Sequence, residues 1–361
     1  MRLALALARR GLGQVSPNPT VGALLVRDGC VVGRGWTQPG GRPHAETEAL
    51  RIAGSLAQGA TIYVTLEPCN HHGETPPCVD ALIAASVARV VSAVEDPDDR
   101  VAGQGHARLR AAGIQVDVGI CQAAAHRLNE GYFLNRRKRR PLVTLKVAST
   151  LDGRIALQNG QSQWITGPAA RARGHMLRAT HDAILVGSGT ALADDPSLTC
   201  RLDGLEARSP ARVVLDTALQ LPRDSQLART ARQTPVWVMT CAPTDAALSN
   251  PLTAQGVDVV KVVPGPNNKP DIHAVLNLLA ARGITRLLVE GGSVILSAFL
   301  QAGLVDRVVW FRAGGVIGGD GVPALGPMGL DDMAHLERFE REDVVLLGAD
   351  VMEVYRRAKD G

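Results

Sequence analysis

Aromatic residues are scarce: the 361-residue chain carries four Trp, three Tyr and four Phe. A protein that holds single strands of nucleic acid by stacking bases needs more of them. Charge of one sign is not in excess either. Against 35 Asp and Glu stand 39 Lys and Arg, a formal net charge of +4, too small and too dispersed for a nucleic-acid footprint. No apolar run approaches the ~18 residues of a membrane span. The opening residues 1–10 are apolar only briefly, Arg9 and Arg10 close the stretch, and no small-x-small cleavage site follows. They read as the first helix of a folded domain, not as a secretory signal. Six cysteines spread over this length exclude a small disulfide-stapled scaffold. A reduced, cytoplasmic setting is expected, in which Cys clustered with His points to metal. What is present in quantity is glycine, 38 residues, the mark of many tight turns and close backbone approaches. The length suits roughly two domains.

Strand and helix signals alternate from the start. β-rich runs at 21–26 and 30–35 are joined by Asp28-Gly29, a strong hairpin turn. Helices are expected over 44–57, 78–85 and 104–112, strands over 61–66, 89–94 and 114–118, and one further helix over 121–135. That helix runs into Arg136-Arg137-Lys138-Arg139-Arg140-Pro141, read as a solvated linker face. The boundary placed there gives domains 1–138 and 139–361. The second domain shows strands at 142–148, 181–186, 211–215, 236–240, 257–262 and 286–289, with helices at 169–179, 245–254 and 272–281. Three closing strands at 305–311, 343–347 and 351–355 lack intervening helices, which predicts antiparallel pairing at one edge of a mixed sheet. Both domains are therefore α/β, each a sheet covered by helices.

The chemistry concentrates in His44-Ala45-Glu46, Pro68-Cys69 and Pro77-Cys78. One imidazole and two thiolates give zinc three protein ligands and leave a fourth position open, as in catalytic sites. Glu46, two residues from His44 at a helix start, can carry protons without binding the metal. The pattern corresponds to the His-x-Glu and Pro-Cys-x-x-Cys signature of zinc nucleobase deaminases, except for the long insert between Cys69 and Cys78. A closed structural zinc site using His71 or His72 is the competing reading; it would have no use for Glu46. In the second half, Gly187-Ser188-Gly189-Thr190 and Glu290-Gly291-Gly292-Ser293 follow strands and open helices, where backbone N–H groups can cradle phosphate. The ordinary dinucleotide fingerprint G-x-G-x-x-G is absent there.

Ser16-Pro17-Asn18-Pro19-x-Val21-Gly22, His44-Ala45-Glu46 and the run from Thr65-Leu66-Glu67-Pro68-Cys69 to Thr75-Pro76-Pro77-Cys78 resemble the bifunctional deaminase–reductases of riboflavin biosynthesis. Asn70 stands where that family usually has serine, and its first helix usually follows a short acidic and aromatic lead, which leaves open either a start upstream of Met1 or a trimmed first helix. Lys146-Val147-Ala148-Ser149-Thr150-Leu151-Asp152-Gly153-Arg154, Ser162-Gln163-Trp164-Ile165-Thr166 and Asp194-Asp195-Pro196-x-Leu198-Thr199-x-Arg201 resemble the reductase half of the same family. The resemblance implies a cytidine-deaminase-like three-layer domain followed by a dihydrofolate-reductase-like mixed-sheet domain. It implies zinc on His44, Cys69 and Cys78, Glu46 as proton carrier, and Asn18 in the deaminase pocket. It implies NADPH contacts at Ala148, Trp164, Thr190, Asp194, Gly291, Gly292 and Ser293, and substrate contacts at Ser162, Arg178, Leu198, Arg201 and Glu290. The expected partners are small phosphoribosylaminopyrimidines, with neither nucleic acid nor membrane, in a homo-oligomer. A nucleoside or nucleic-acid zinc deaminase with a fused accessory domain is the alternative, and the eight residues between the cysteines count against it.

Overall fold

The computed structural model describes residues 1–98, 102–242 and 251–358, in two compact units, Met1–Arg140 and Pro141–Gly361. The first unit is built on β1 (Gly22–Arg27), β2 (Cys30–Trp36), β3 (Thr61–Val64), β4 (Arg89–Ser92) and β5 (Gln115–Val118), in the order β2-β1-β3-β4-β5. β1 pairs antiparallel with both its neighbours, while β3, β4 and β5 run parallel. At the turn between β1 and β2, Asp28 and Gly29 have φ of 50° and 76°, the double positive φ of a tight hairpin.

Glycines let helices lie directly on this sheet. A Cβ on Gly22 would run into the Ala4 carbonyl, and Cβ atoms on Gly33 and Gly35 would run into those of Ala49 and Ala45. Gly22 and Trp36 are cross-strand partners on one face, whereas Gly33 and Gly35 face the other. Helix Arg2–Ala8 therefore covers one face and helix Ala45–Ala53 the opposite one. The close seat of Ala45 on Gly35 fixes His44, which caps that helix. The single helix expected over 121–135 is in fact two, Gln122–Leu128 and Glu130–Lys138. They meet at Asn129, whose buried carboxamide accepts from the Thr20 N–H and donates to the Thr20 carbonyl, both at 2.9 Å. That partner lies 109 residues away, beyond what periodicity can register.

The second unit carries β6 (Leu142–Ser149), β7 (Arg154–Ala156), β8 (Ala183–Gly187), β9 (Ala211–Leu215), β10 (Val236–Thr240), β11 (Asp258–Lys261), β12 (Arg286–Val289), β13 (Arg307–Arg312), β14 (Val322–Pro323), β15 (Phe339–Leu347) and β16 (Asp350–Arg357). Nine of these form one sheet, ordered β11-β10-β9-β8-β12-β6-β13-β16-β15. Every pair from β11 to β13 is parallel, and the expected antiparallel edge is made by β13, β16 and β15. The parallel strands β6, β8 and β12 are nearly continuous runs of buried apolar residues, as strands covered on both faces must be. The pairing of β7 with β14 has no sequence signal. The helix expected over 245–254 falls largely outside the described residues.

Candidate active sites

Three segments meet in the first unit: His44 before helix Ala45–Ala53, Cys69 in the loop after β3, and Cys78 opening helix Cys78–Ala84. Their ligand atoms lie within 4.8 Å of one another. His44 Nδ1 stands 3.3 Å from Cys78 Sγ and 3.6 Å from Cys69 Sγ. Tetrahedral zinc, with bonds of ~2.3 Å to sulfur and ~2.0–2.1 Å to nitrogen, sets such atoms about 3.6 Å apart, so the set fits zinc. His71 and His72 are not in this group. The Cys78 backbone N–H lies 3.2 Å from Cys69 Sγ. The Cys78 side-chain hydrogen bond, together with this N–H and His44, draws the Cys69 thiol down to about 4. Cys78 is pushed the other way, by that shared hydrogen bond and then by burial. Both sulfurs bind zinc as thiolates, so metal binding releases thiol protons.

Glu46 is buried in the first turn of the same helix, at 3% exposure. Burial raises its carboxyl to about 7 against the pull of His44, and it shares a hydrogen bond with the Cys78 side chain. A carboxyl poised near neutrality can both take and return a proton. Asn18 packs its carboxamide where a Cβ of Gly41 (φ 87°) would lie, three residues before His44.

Sequence reading missed two supports of this site. Glu67 is buried, and its carboxylate accepts from the N–H groups of Asp96 (3.2 Å), Gly103 (2.9 Å), Gly105 (2.9 Å) and His106 (3.2 Å). It pins the Pro68-Cys69 loop to the start of helix Gln104–Ala111. Arg42 spans to the loop between the cysteines, its Nε 3.0 Å from Glu74 and its Nη1 donating to Thr75 Oγ1 at 2.7 Å. An acid placed directly before Pro-Cys is the only local sign of the first. The second has none.

In the second unit some of the expected residues lie at the ends of adjacent parallel strands and the helices that follow them. Arg178, from helix Pro168–Ala179, donates to both carboxylate oxygens of Glu290 at 3.0 and 2.9 Å, and to the Thr199 carbonyl at 3.1 Å. Lys146 Nζ, from β6, is 3.8 Å from Glu290 Oε2. Burial opposes ionisation of Glu290, but Arg178 and then Lys146 prevail and hold its carboxyl at about 2. Arg178's fork is thereby spent inside the protein. Arg201 is exposed and anchored by a 2.6 Å hydrogen bond from Nη1 to Ser197 Oγ, while Leu198 is buried with φ of 55°.

The glycine turn after β12 lies against the helix after β8. The Gly292 N–H donates to Thr190 Oγ1 at 3.3 Å, and a Cβ on Gly291 (φ 132°) would crowd that hydroxyl. Gly189 and Gly292 face open space at the starts of helices Ser188–Asp194 and Ser293–Gln301, and Ser293 is half-buried. A dinucleotide phosphate fits there. Asp194 ends the first of these helices. Ala148 lies two residues beyond Lys146 on β6. Ser162 is half-buried in the turn before Trp164, which is 67% exposed and covered on one side by the Arg171 guanidinium at 4.4 Å. No hydrogen bond, ion pair or ring contact joins Ser162 or Trp164 to Glu290, Arg178 or Lys146 among the described residues. Asp152, in the turn after β6, accepts from the N–H groups of Ile317 (3.3 Å) and Gly318 (2.8 Å) and so pins the glycine-rich loop at 314–319.

A His-Cys-Cys zinc set with a buried glutamate, followed by a mixed sheet with phosphate-type glycine turns, defines a zinc deaminase joined to a nucleotide-dependent reductase. Residues 1–94 match the cytidine and deoxycytidylate deaminase zinc-binding region, and residues 141–352 match the RibD C-terminal domain. The chain is 41% identical to the riboflavin biosynthesis protein RibD of Bacillus amyloliquefaciens, covering 100% of this chain and 97% of that one. It is 40% identical to that of Escherichia coli strain K12, over 97% and 96% of the two chains. Among solved structures it is similar to Acinetobacter baumannii RibD, with a TM-score of 0.89, 38% identity and 99% and 98% coverage. It is also similar to a deaminase/reductase from Thermotoga maritima, with a TM-score of 0.86, 35% identity and 99% and 97% coverage. The chain belongs to the RibD family, the bifunctional deaminase–reductases of riboflavin biosynthesis. Its cofactors are zinc and NADPH, its substrates are small molecules, and no helix among the described residues is long and apolar enough to cross a membrane.

Proposed function

We propose that residues 1–138 deaminate a diaminopyrimidinone bearing a phosphoribosylamino group, 2,5-diamino-6-(5-phosphoribosylamino)pyrimidin-4(3H)-one. Residues 139–361 then reduce the ribosyl group of the product to ribityl. The Thermotoga relative, a diaminohydroxyphosphoribosylaminopyrimidine deaminase and 5-amino-6-(5-phosphoribosylamino)uracil reductase, supports this substrate. Held by His44, Cys69 and Cys78, zinc supplies the Lewis acidity that makes water a nucleophile near neutral pH. Glu46 takes the proton of the attacking water on its carboxylate and passes it to the departing amine. Asn18 orients the ring through its carboxamide.

NADPH supplies the hydride of the second reaction. Thr190, Gly291, Gly292 and Ser293 hold its phosphate groups, while Ala148, Trp164 and Asp194 line the rest of its site. With the fork of Arg178 committed to Glu290, Arg201 takes the substrate phosphate, a pairing suited to a guanidinium. Glu290, ionised and held by Arg178, accepts from ribose hydroxyls, and Ser162 and Leu198 shape the pocket.

The observation that carries the reading is the three-ligand zinc set with a buried carboxyl near neutrality beside it. The test follows ammonia release and NADPH oxidation by the full zinc-loaded chain on that diaminopyrimidinone. Both should occur, with oxidation lagging behind deamination. A chain that deaminates cytidine or tRNA and ignores the phosphoribosylaminopyrimidine overturns the proposal. Free thiols throughout and reliance on NADPH suit the cytoplasm. The scarcity of aromatics argues against nucleic-acid partners. The long edge strand β15, with Val344 and Leu346 exposed, supports a homo-oligomer, which light scattering checks.

A further inference from the structure

Arg212, on β9, is the largest side chain buried completely in the protein. A buried guanidinium ordinarily has a carboxylate partner, and none lies within ion-pair distance among the described residues. All of its hydrogen bonds go to neutral oxygens: Thr230 Oγ1 (2.7 Å), the Thr230 carbonyl (3.1 Å), the Thr234 carbonyl (2.6 Å) and the Ser197 carbonyl (3.2 Å). Its Nε has no acceptor. Stability alone is a poor reason to keep such a group, since a well-packed apolar side chain serves as well.

What distinguishes Arg212 is where its Ser197 contact leads. The Ser197 hydroxyl receives Arg201 Nη1 at 2.6 Å and the Thr199 hydroxyl at 3.3 Å. One residue thus has its carbonyl fixed from below by Arg212 and its hydroxyl fixing Arg201 above. The loop they share is not relaxed, for Asp195 and Leu198 hold φ of 38° and 55°, conformations that persist only where surroundings impose them. Gln226 supplies a second tether, its backbone N–H donating to Asp195 Oδ1 and its Nε2 to the Asp195 carbonyl, both at 2.7 Å.

We propose that Arg212 is a positioning residue of the reductase reaction, setting the guanidinium of Arg201 for the substrate phosphate through Ser197, with Gln226 as the outer tether of the same loop. The inference rests on the assignment of Arg201 above. The test uses the full-length, zinc-loaded protein and measures kcat and KM of NADPH oxidation on the deaminated substrate and on its dephosphorylated counterpart. Arg212→Lys should raise KM for the phosphorylated substrate roughly tenfold, the worth of one charge-assisted contact, with kcat, KM for NADPH and deamination within about twofold. The preference for phosphorylated over dephosphorylated substrate should fall by the same factor. Gln226→Ala, at an exposed position, should lower that preference about threefold in the same manner. It decides the matter alone if Arg212→Lys does not fold. Variants that keep the full preference while kcat drops show general loosening and overturn the proposal, as does no change at all. Arg201→Ala separates the two levels. If it leaves the preference intact, the phosphate assignment and the inference both fall. If it abolishes the preference while the other variants retain it, the inference alone falls.

Discussion

Among the buried glutamates, Glu46 of the first unit and Glu290 of the second titrate at opposite ends of the carboxylate range. Glu46, 3% exposed, sits at about 7 because burial outweighs the charge of His44. Glu290, 7% exposed, sits at about 2 because Arg178 and Lys146 outweigh its burial. The first is kept near its switching point, as a group that moves protons must be. The second is fixed as an anion, which suits a residue that orients and does not transfer. The difference teaches that burial alone assigns no role; the charges brought to the buried group do.

The strongest way to break this comparison is to remove a zinc ligand. Cys78→Ala should lose bound zinc and show no detectable ammonia release, while NADPH oxidation on pre-deaminated substrate stays within about twofold, because nothing in the second unit uses the metal. Loss of both activities would mean that the units do not act separately. Next in size is Glu46→Gln, expected to retain zinc by elemental assay and to lose about 10²–10⁴ in deamination, the scale of one general acid–base group. Its stability should hold or rise, since an amide avoids the burial that pushes this carboxyl up. Glu290→Gln should do the reverse. It leaves Arg178 buried without its counter-charge and should lower the stability of the second unit by about 3 kcal/mol in urea unfolding. Adding Arg178→Gln should recover part of that loss, as coupled neighbours do. Equal stability effects at the two glutamates would end the distinction.

The zinc site was legible because its chemistry demands residue types, and types are what a sequence displays. His44, Cys78 and Glu46 each sit at a helix start marked locally, and Cys69 follows a proline in the loop after β3. Glu67 and Arg212 were not legible because their roles are to join segments: Glu67 meets amides of Asp96 and residues 103–106, and Arg212 meets carbonyls of two separate segments, at Ser197 and at 230–234. Arg178 was legible as important, but its fork onto Glu290 was not, since an arginine free for a ligand and one paired with a carboxylate look alike until the strands are assembled. The fold followed the same rule. The parallel strands announce themselves as apolar runs, whereas the break at Asn129 depends on Thr20 and the β7–β14 pair on residues far apart in the chain.

The smallest effect sharpens the comparison by sign. Asp96, just after β4, is raised to about 6 mainly by burial, with Tyr132 OH donating to it at 3.1 Å. His181, just before β8, is lowered to about 3 by burial. Its Nδ1 faces the Leu177 carbonyl at 2.7 Å and so carries the proton, leaving Nε2 to accept from Thr144 Oγ1 at 3.0 Å. Between pH 7 and pH 5 the folded Asp96 binds a proton that the unfolded chain does not, so Asp96 alone adds about 1 kcal/mol to the acid gain of the first unit, beside the share of Glu46. Over the same interval the unfolded chain protonates His181 and the folded one does not, so acid disfavours the folded second unit by about 2 kcal/mol. Hydrogen exchange in β4 and β8, measured at both pH values, reads the two units separately. Asp96→Asn, which keeps the acceptor for Tyr132, should reduce the acid gain in β4 by about 1 kcal/mol, leaving the part due to Glu46, and leave β8 unchanged. His181→Gln should remove the acid loss in β8 and leave β4 unchanged. If either substitution shifts both strands, the titration belongs to the whole chain and not to its unit.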